Sequence, residues 1–194
     1  MITIVFLTGK SATGKDTILS ELLKRHPNWE KAVSYTTRPQ RAGEKDGEAY
    51  HFVTEEYFDK PDLEIIDKRT YKVKLKDNHE GKWTYVFMND FADGKTYLVA
   101  GALSVYMSFA EFFKSDTNVT LKLIYLELPD RERLLRAIDR CKDGNYAEVC
   151  RRYLADEEDF REIDSKFIKG YGIKRFYNIK LEDCVHDIEK YLAE

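Results

Sequence analysis

The chain has no apolar run long enough to cross a bilayer, so a helical membrane span is excluded. It also lacks a dominant charge: 32 Lys+Arg stand against 35 Asp+Glu, a net charge of −3. A general nucleic-acid binder or membrane-surface binder needs a broad cationic field, so neither partner is expected. Any anion site must be a local concentration of positive groups. Cysteine is scarce and odd in number, with Cys141, Cys150 and Cys184 at spacings that match no metal motif. The histidines His26, His51, His79 and His186 are scattered and read as surface or structural residues. The opening apolar run Ile2–Leu7 has no basic segment before it, so it reads as a buried strand and not as a signal peptide. Reduced thiols in a cytoplasmic protein are the simplest expectation.

What is present is enough for a core. Of 194 residues, 43% are apolar and 13% aromatic, which fits one domain or one core with an inserted subdomain. Residues 2–8 form a strand. Ile18, Leu19, Leu22 and Leu23 then repeat at helical spacing until Pro27. Ala32–Tyr35 and Tyr50–Val53 are further strand candidates, and Thr54 can cap a helix starting at Glu55. The stretch 63–87 is rich in β-formers, with a turn expected at Asn78-His79-Glu80-Gly81. Strand and helix then alternate: a strand at 96–100, a helix over 103–113 and a strand at 121–126. A helix carrying Leu134, Leu135 and Ile138 opens at Pro129-Asp130, Gly144-Asn145 breaks it, and a charged helix follows with Cys150, Tyr153, Leu154 and Phe160 on its apolar side. A strand within 173–179 and a helix over 181–192 close the chain. Such alternation implies a mostly parallel sheet flanked by helices.

Between the first strand and first helix lies Gly9-Lys10-Ser11-Ala12-Thr13-Gly14-Lys15-Asp16-Thr17, with the G-x-x-x-x-G-K spacing of a phosphate-binding P-loop. Glycines let the backbone wrap so that N–H groups point inward. The helix N-terminus adds partial positive charge, and Lys15 adds a mobile full charge for β- and γ-phosphates. The residue after the lysine is Asp16 where Ser or Thr is usual, with Thr17 next. Thr17 can still donate to a phosphate. Asp16 is either a first-turn acid or a Mg2+ ligand.

A second constellation runs Ser34-Tyr35-Thr36-Thr37-Arg38-Pro39-Gln40-Arg41-Ala42-Gly43-Glu44-Lys45-Asp46-Gly47-Glu48-Ala49-Tyr50-His51-Phe52. Two loop arginines three residues apart, with a tyrosine hydroxyl, can form a phosphate fork or a solvated basic turn. Together with the P-loop, this segment resembles the guanylate kinase family, whose pattern S-x-T-T-R-x-x-R-x-G-E-x-x-G-x-x-Y-x-F it matches at every fixed position. The resemblance implies a P-loop NTPase-type α/β core at 1–34 and 89–194. It further implies a mostly β nucleoside-monophosphate-binding subdomain inserted at 35–88 and a helical lid at 139–155. It implies transfer of a phosphoryl group from MgATP to GMP, giving ADP and GDP. By matching positions, Gly9, Ser11, Ala12, Thr13, Gly14, Lys15, Asp16 and Thr17 would hold ATP and its Mg2+. Arg38, Arg41, Tyr50 and Tyr85 would hold the acceptor phosphate, Ser34 would face the guanine, and Asp67 would accept from its N1–H and N2–H2.

Three segments depart from that family. Asp67 stands where glutamate is usual. Phe87 replaces a small hydroxyl residue two places after Tyr85. Ala100-Gly101-Ala102 replaces an acidic D-x-D run. Arg136 and Arg140 share a helix face four residues apart, and Arg151-Arg152 follow after Gly144-Asn145. This arrangement resembles a nucleotide-kinase lid, with Arg136, Arg140 and Arg152 set to steady the moving phosphoryl; the alternative is a salt-bridged surface. Asn178, before the last helix, matches the family segment beside the adenine. The departures leave room for another acceptor, such as dGMP or a modified base, or for a module that binds without turnover.

Overall fold

A computed structural model of the protein describes residues 1–74, 80–142, 144–161 and 173–194. Nine strands are present among them: β1 (Ile2–Thr8), β2 (Trp29–Lys31), β3 (Tyr35–Thr36), β4 (His51–Phe52), β5 (Ile65–Lys74), β6 (Glu80–Met88), β7 (Thr96–Ala100), β8 (Val119–Glu127) and β9 (Lys174–Tyr177). The helices are α1 (Lys15–Arg25), α2 (Leu103–Phe112), α3 (Asp130–Arg140), α4 (Tyr146–Asp159) and α5 (Leu181–Ala193). Asn78 and His79 of the expected turn lie outside the described residues, while Glu80 and Gly81 open β6.

The central sheet is parallel throughout, in the order β2-β7-β1-β8-β9. Its middle strand shows why. β1 is buried on both faces and reads as a continuous apolar run. Ile2, Ile4 and Phe6 pack one way, with Val99, Phe109 and Phe160. Val5 and Leu7 pack the other way, against Ile18 and Leu22 of α1 and Val185 and Ile188 of α5. Helices therefore cover both faces, as parallel strands require.

A second sheet, β4-β3-β6-β5, is built from strands lying between Tyr35 and Met88. β5 and β6 form a long antiparallel ladder with a register shift between Ile65 and Asp67. Phe58, Val86 and Met88 form a small core on one side, with Tyr35, Tyr57 and Leu63 against it. On the other side Phe87 packs edge-on to Phe109 of α2, with ring centroids 5.4 Å apart.

Some local expectations are corrected. The strand expected at Ala32–Tyr35 is two strands. Trp29–Lys31 pairs with β7 on the edge of the core, Tyr35–Thr36 joins the second sheet, and residues 32–34 cross between them. The helix expected at Glu55 is a five-residue 3-10 turn, Glu55–Asp59, with no side-chain cap from Thr54. Pro61 forces Lys60 into extended backbone, so the turn cannot propagate. On α4, Leu154 is exposed and Cys150 faces solvent, although Phe160 is buried. On α3 the buried residue is Arg133, while Leu135 and Ile138 stand exposed. The apolar period misleads here because charged groups occupy the inner faces.

Candidate active site

The loop Gly9–Gly14 lies at the carboxyl end of β1, where open α/β sheets bind ligands. Its shape depends on residues without bulk. Gly9 has φ +150°, and a Cβ there would lie 2.4 Å from the Leu126 carbonyl oxygen. Gly14, at φ +95°, is the N-cap of α1. Ala12 also adopts a left-handed conformation, φ +65°, which a side chain tolerates poorly and a functional loop often imposes. Lys15 Nζ donates to the Gly9 and Lys10 carbonyl oxygens at 2.7 and 3.2 Å. Burial pushes this ammonium below the usual lysine pKa, while the charges of Asp156 and Asp16 pull it back up. Asp16 and Thr17 are both exposed in the first turn of α1.

Asn178 is buried, and its Nδ2 donates to the Thr13 carbonyl at 2.8 Å. One of its amide N–H groups thus props the loop. Arg136 reaches the same place from α3, donating to the Asn178 carbonyl at 2.8 Å. A groove of ≈ 400 Å³ beside them is lined by Ala12, Gly14, Thr17, Arg136, Arg140 and Asn178.

Residues that the sequence pattern did not single out close the other side of the loop. Asp156 of α4 accepts from the Ser11 N–H at 2.8 Å and from its hydroxyl at 3.1 Å. Glu157 pairs with Lys10 at 2.8 Å. Buried Arg133 ties the group together, donating to Asp130 at 2.7 Å, Glu157 at 2.9 Å and Asp156 at 3.2 Å, with its guanidinium over the Tyr153 ring. In the sequence these acids look like any solvated helix face; only the i,i+3 spacing of Asp130 and Arg133 hints at the network. Next to it, Ser11, Arg140, Arg152 and Asp156 line a cleft of ≈ 380 Å³ between α3 and α4. Arg152 donates to Glu148 at 2.7 Å, and Arg151 holds the same carboxylate. The two guanidinium groups drive the Glu148 pKa down to about 2.

The second site is assembled on the second sheet. Arg38 is buried and forks onto Glu44, Nη1 to Oε2 at 3.0 Å and Nη2 to Oε1 at 2.8 Å. Glu44 also accepts from the Arg41 N–H at 2.8 Å, which shapes the loop, while the Arg41 side chain is exposed. Arg38 lies over the Tyr50 ring at 5.2 Å, and Tyr50 meets Tyr85 edge-on at 5.6 Å. Burial raises the Tyr50 pKa above the usual phenol range, and a phenol hydroxyl can donate to a phosphate oxygen. The structure therefore gathers Arg38, Arg41, Tyr50 and Tyr85 into one basket, with Glu44 as its organiser. Ser34 lies at the entry to β3, where its carbonyl accepts from the His51 N–H at 3.0 Å. Asp67 is buried on β5 and bonded to Arg69 and Ser108. Gly101 has no room for a side chain, since a Cβ would meet Phe6 Cζ at 2.9 Å.

Among the described residues no cluster of three or more His, Cys, Asp or Glu could hold a metal. Asp16 and Thr17 offer two hard oxygen donors at the loop. That set fits a Mg2+ ion which takes its remaining ligands from phosphates and water, as this ion prefers.

The guanylate kinase family model matches residues 1–71. A guanylate kinase from Gloeobacter violaceus is 47% identical over 98% of this chain and 87% of its own length. One from Synechococcus sp. is 30% identical over 97% of this chain and 81% of its own. The crystal structure of guanylate kinase from Anaplasma phagocytophilum, 23% identical, superposes with a TM-score of 0.59 over 98% of this chain and 84% of that one, and so shares the fold. With a glycine loop between β1 and α1, an arginine–tyrosine basket on the second sheet and relatives aligned over nearly its full length, this chain belongs to the guanylate kinase family.

Proposed function

We propose that the protein is a guanylate kinase that transfers the γ-phosphoryl group of ATP to the phosphate of GMP, giving ADP and GDP. One observation supports the reading: the chain carries two separate clusters suited to phosphate, a glycine loop with Lys15 Nζ on its carbonyls and a group of Arg38, Arg41, Tyr50 and Tyr85 on the second sheet. A hydrolase needs only the first. A phosphate oxygen of the acceptor is already a competent nucleophile, so no general base is required. The work left to the protein is alignment and charge stabilisation.

Lys15 leaves the Gly9 and Lys10 carbonyls to meet the β- and γ-phosphates, whose charge replaces those dipoles. The basket holds the acceptor phosphate in line. Residues 35–88 act as the acceptor-binding unit and 139–155 as the lid. Arg136 and Arg140 approach from α3 and Arg152 from α4, and closure places their guanidinium groups on the transferring phosphoryl and excludes water. Mg2+ bound with ATP would be held by Asp16 and Thr17 and would neutralise polyphosphate charge. Among the described residues no helix is long and apolar enough to cross a membrane; the enzyme is proposed to act on free nucleotides in the cytoplasm.

The test is ADP release from MgATP with GMP, dGMP, AMP, CMP, UMP and dTMP as acceptors. A guanine nucleotide is expected to be preferred by at least about a hundredfold, the scale at which buried polar groups discriminate. Tight ATP binding with no turnover of any acceptor would reject the reading.

A further inference from the structure

We infer that Asp156 stands in for the donor's terminal phosphate in the nucleotide-free protein, and that ATP expels this carboxylate and takes over its partners, Ser11 and Arg133. Arg133 thereby becomes a phosphate-binding residue. The inference rests on the kinase reading above and adds what fills the donor site before ATP arrives.

The contacts of Asp156 are those a phosphate makes. Its Oδ2 accepts from the Ser11 N–H at 2.8 Å and from Arg133 Nη1 at 3.2 Å. Its Oδ1 accepts from the Ser11 hydroxyl at 3.1 Å. A backbone amide, a hydroxyl and a guanidinium are the donors that recur around bound phosphate oxygens. The side chain is only 13% exposed, so these contacts are not those of a loose surface acid. The carboxylate also faces the loop lysine. Burial lowers the Lys15 pKa, and among the charges that pull it back up Asp156 ranks before Asp16 of the lysine's own helix. An anionic group thus lies between the loop amide and the loop ammonium, where the kinase reading puts the end of the triphosphate.

The surroundings identify which phosphate. The cleft of ≈ 380 Å³ between α3 and α4 opens on Ser11, Arg133 and Asp156, with Arg140 and Arg152 on its wall. The kinase reading sets those two arginines on the transferring phosphoryl. The group that enters beside them and replaces the carboxylate is therefore the γ-phosphate.

Little resists the exchange. α4 has no buried residue, and its Leu154 stands exposed. The helix is held at the loop by ion pairs: Asp156 with Arg133 at 3.2 Å, Glu157 with Arg133 at 2.9 Å and Glu157 with Lys10 at 2.8 Å. Pairs of partly exposed groups are individually weak, and a triphosphate brings more negative charge to the same donors. Arg133 keeps its place meanwhile. Asp130, three residues back on α3, holds it through Nη2 at 2.7 Å and Nε at 3.2 Å. Nη1, which serves Asp156 in the empty protein, is the end that meets the ligand. A guanidinium anchored in this way loses little freedom on binding.

The arrangement does two things. In the empty protein the carboxylate satisfies the Ser11 amide, so the loop keeps its shape. It also makes entry depend on charge, because a ligand without a γ-phosphate has nothing to offer Ser11 and Arg133 in exchange.

The experiment is isothermal titration calorimetry of the full-length protein with MgATP and with MgADP, which needs neither an acceptor nor turnover. Asp156→Asn is expected to tighten ATP by about threefold and to leave ADP within about 1.5-fold, as the loss of one like charge facing the γ-phosphate. Arg133→Lys keeps the charge and loses the fork, so it is expected to weaken ATP by about tenfold. The same factor is expected when Asp156→Asn is also present. Thermal melts show whether each variant is folded. Asp156→Asn binding ATP as before or more weakly would overturn the inference, since the acid would then only shape the loop. ADP tightening as much as ATP would do the same. So would an Arg133→Lys penalty that vanishes in the Asp156→Asn background, since the arginine would then only hold the acid. If Arg133→Lys does not fold, the sign and nucleotide dependence of the Asp156→Asn effect decide alone. An unaltered protein that binds no ATP rejects the kinase reading and this inference with it, whereas GMP turnover with ATP weakened by Asp156→Asn rejects the inference alone.

Discussion

On the proposed reading, the glycine loop and the arginine–tyrosine basket both hold phosphate. The loop takes its donors from one short run, Gly9 to Thr17, with its Lys15 on the first turn of the next helix. The basket takes Arg38 and Arg41 from one loop, Tyr50 from beside β4 and Tyr85 from the middle of β6. Backbone N–H groups and a helix dipole are present wherever the chain turns correctly, so a backbone site can be local. A side-chain site needs long arms from several elements, so it exists only once a sheet has formed. The two also differ in how they are held. The loop is clasped by carboxylates of another helix, Asp156 and Glu157, whereas Arg38 is held by Glu44, six residues along its own loop.

That contrast can be broken in order of expected effect. Lys15→Ala should lower transfer by about a thousandfold or more, since the one mobile charge on the β- and γ-phosphates is gone. The melting temperature should move little, because the lysine touches only carbonyls; single-turnover kinetics and a thermal melt check both. Near-normal turnover would mean that the loop amides suffice. Gly9→Ala should destabilise the fold by about 3 kcal/mol, because the added Cβ meets a backbone oxygen of β8 that cannot retreat. Denaturant unfolding reads this directly, and a cost below about 1 kcal/mol would show that the loop is more pliant than its geometry indicates.

Arg41→Met sharpens the basket side. The Arg41 side chain is exposed, so stability should be unchanged while the KM for GMP rises by about tenfold to a hundredfold, with the KM for ATP constant. Varying each substrate in turn separates the two. The smallest effect is expected at Asp156→Asn. The side chain keeps its shape and loses a charge facing the loop, so the KM for ATP should fall by about threefold. Stability should drop by about 1 kcal/mol as Arg133 loses one of its partners. A KM that rises instead would mean that Asp156 positions the loop for the donor and does not compete with it.

Much of the core was legible because its signals are short-range. An apolar β1, a glycine loop and helical spacing of Ile18, Leu19 and Leu22 lie within one stretch of chain, and each element buries the face its pattern implies. α3 and α4 were legible as helices and not in their faces. Arg133 is buried while Leu135 and Leu154 are exposed, because the surface opposite is a polar loop and not a sheet. The 3-10 turn at Glu55–Asp59 was missed because the proline two residues past it outweighs the acids in its first turn.

For the site, residue types and spacing marked the P-loop lysine and the loop arginines, since charge and glycine geometry are written in the chain itself. Which carboxylate meets which cation was decided only by tertiary structure. Asp67 reads in isolation as a free acceptor, yet β5 brings Arg69 beside it and α2 brings Ser108 above it. Asp156 reads as a surface acid, yet α4 lays it on the Ser11 amide. A sequence states how many charges there are, whereas pairing depends on distance, and distance is set by how the elements pack.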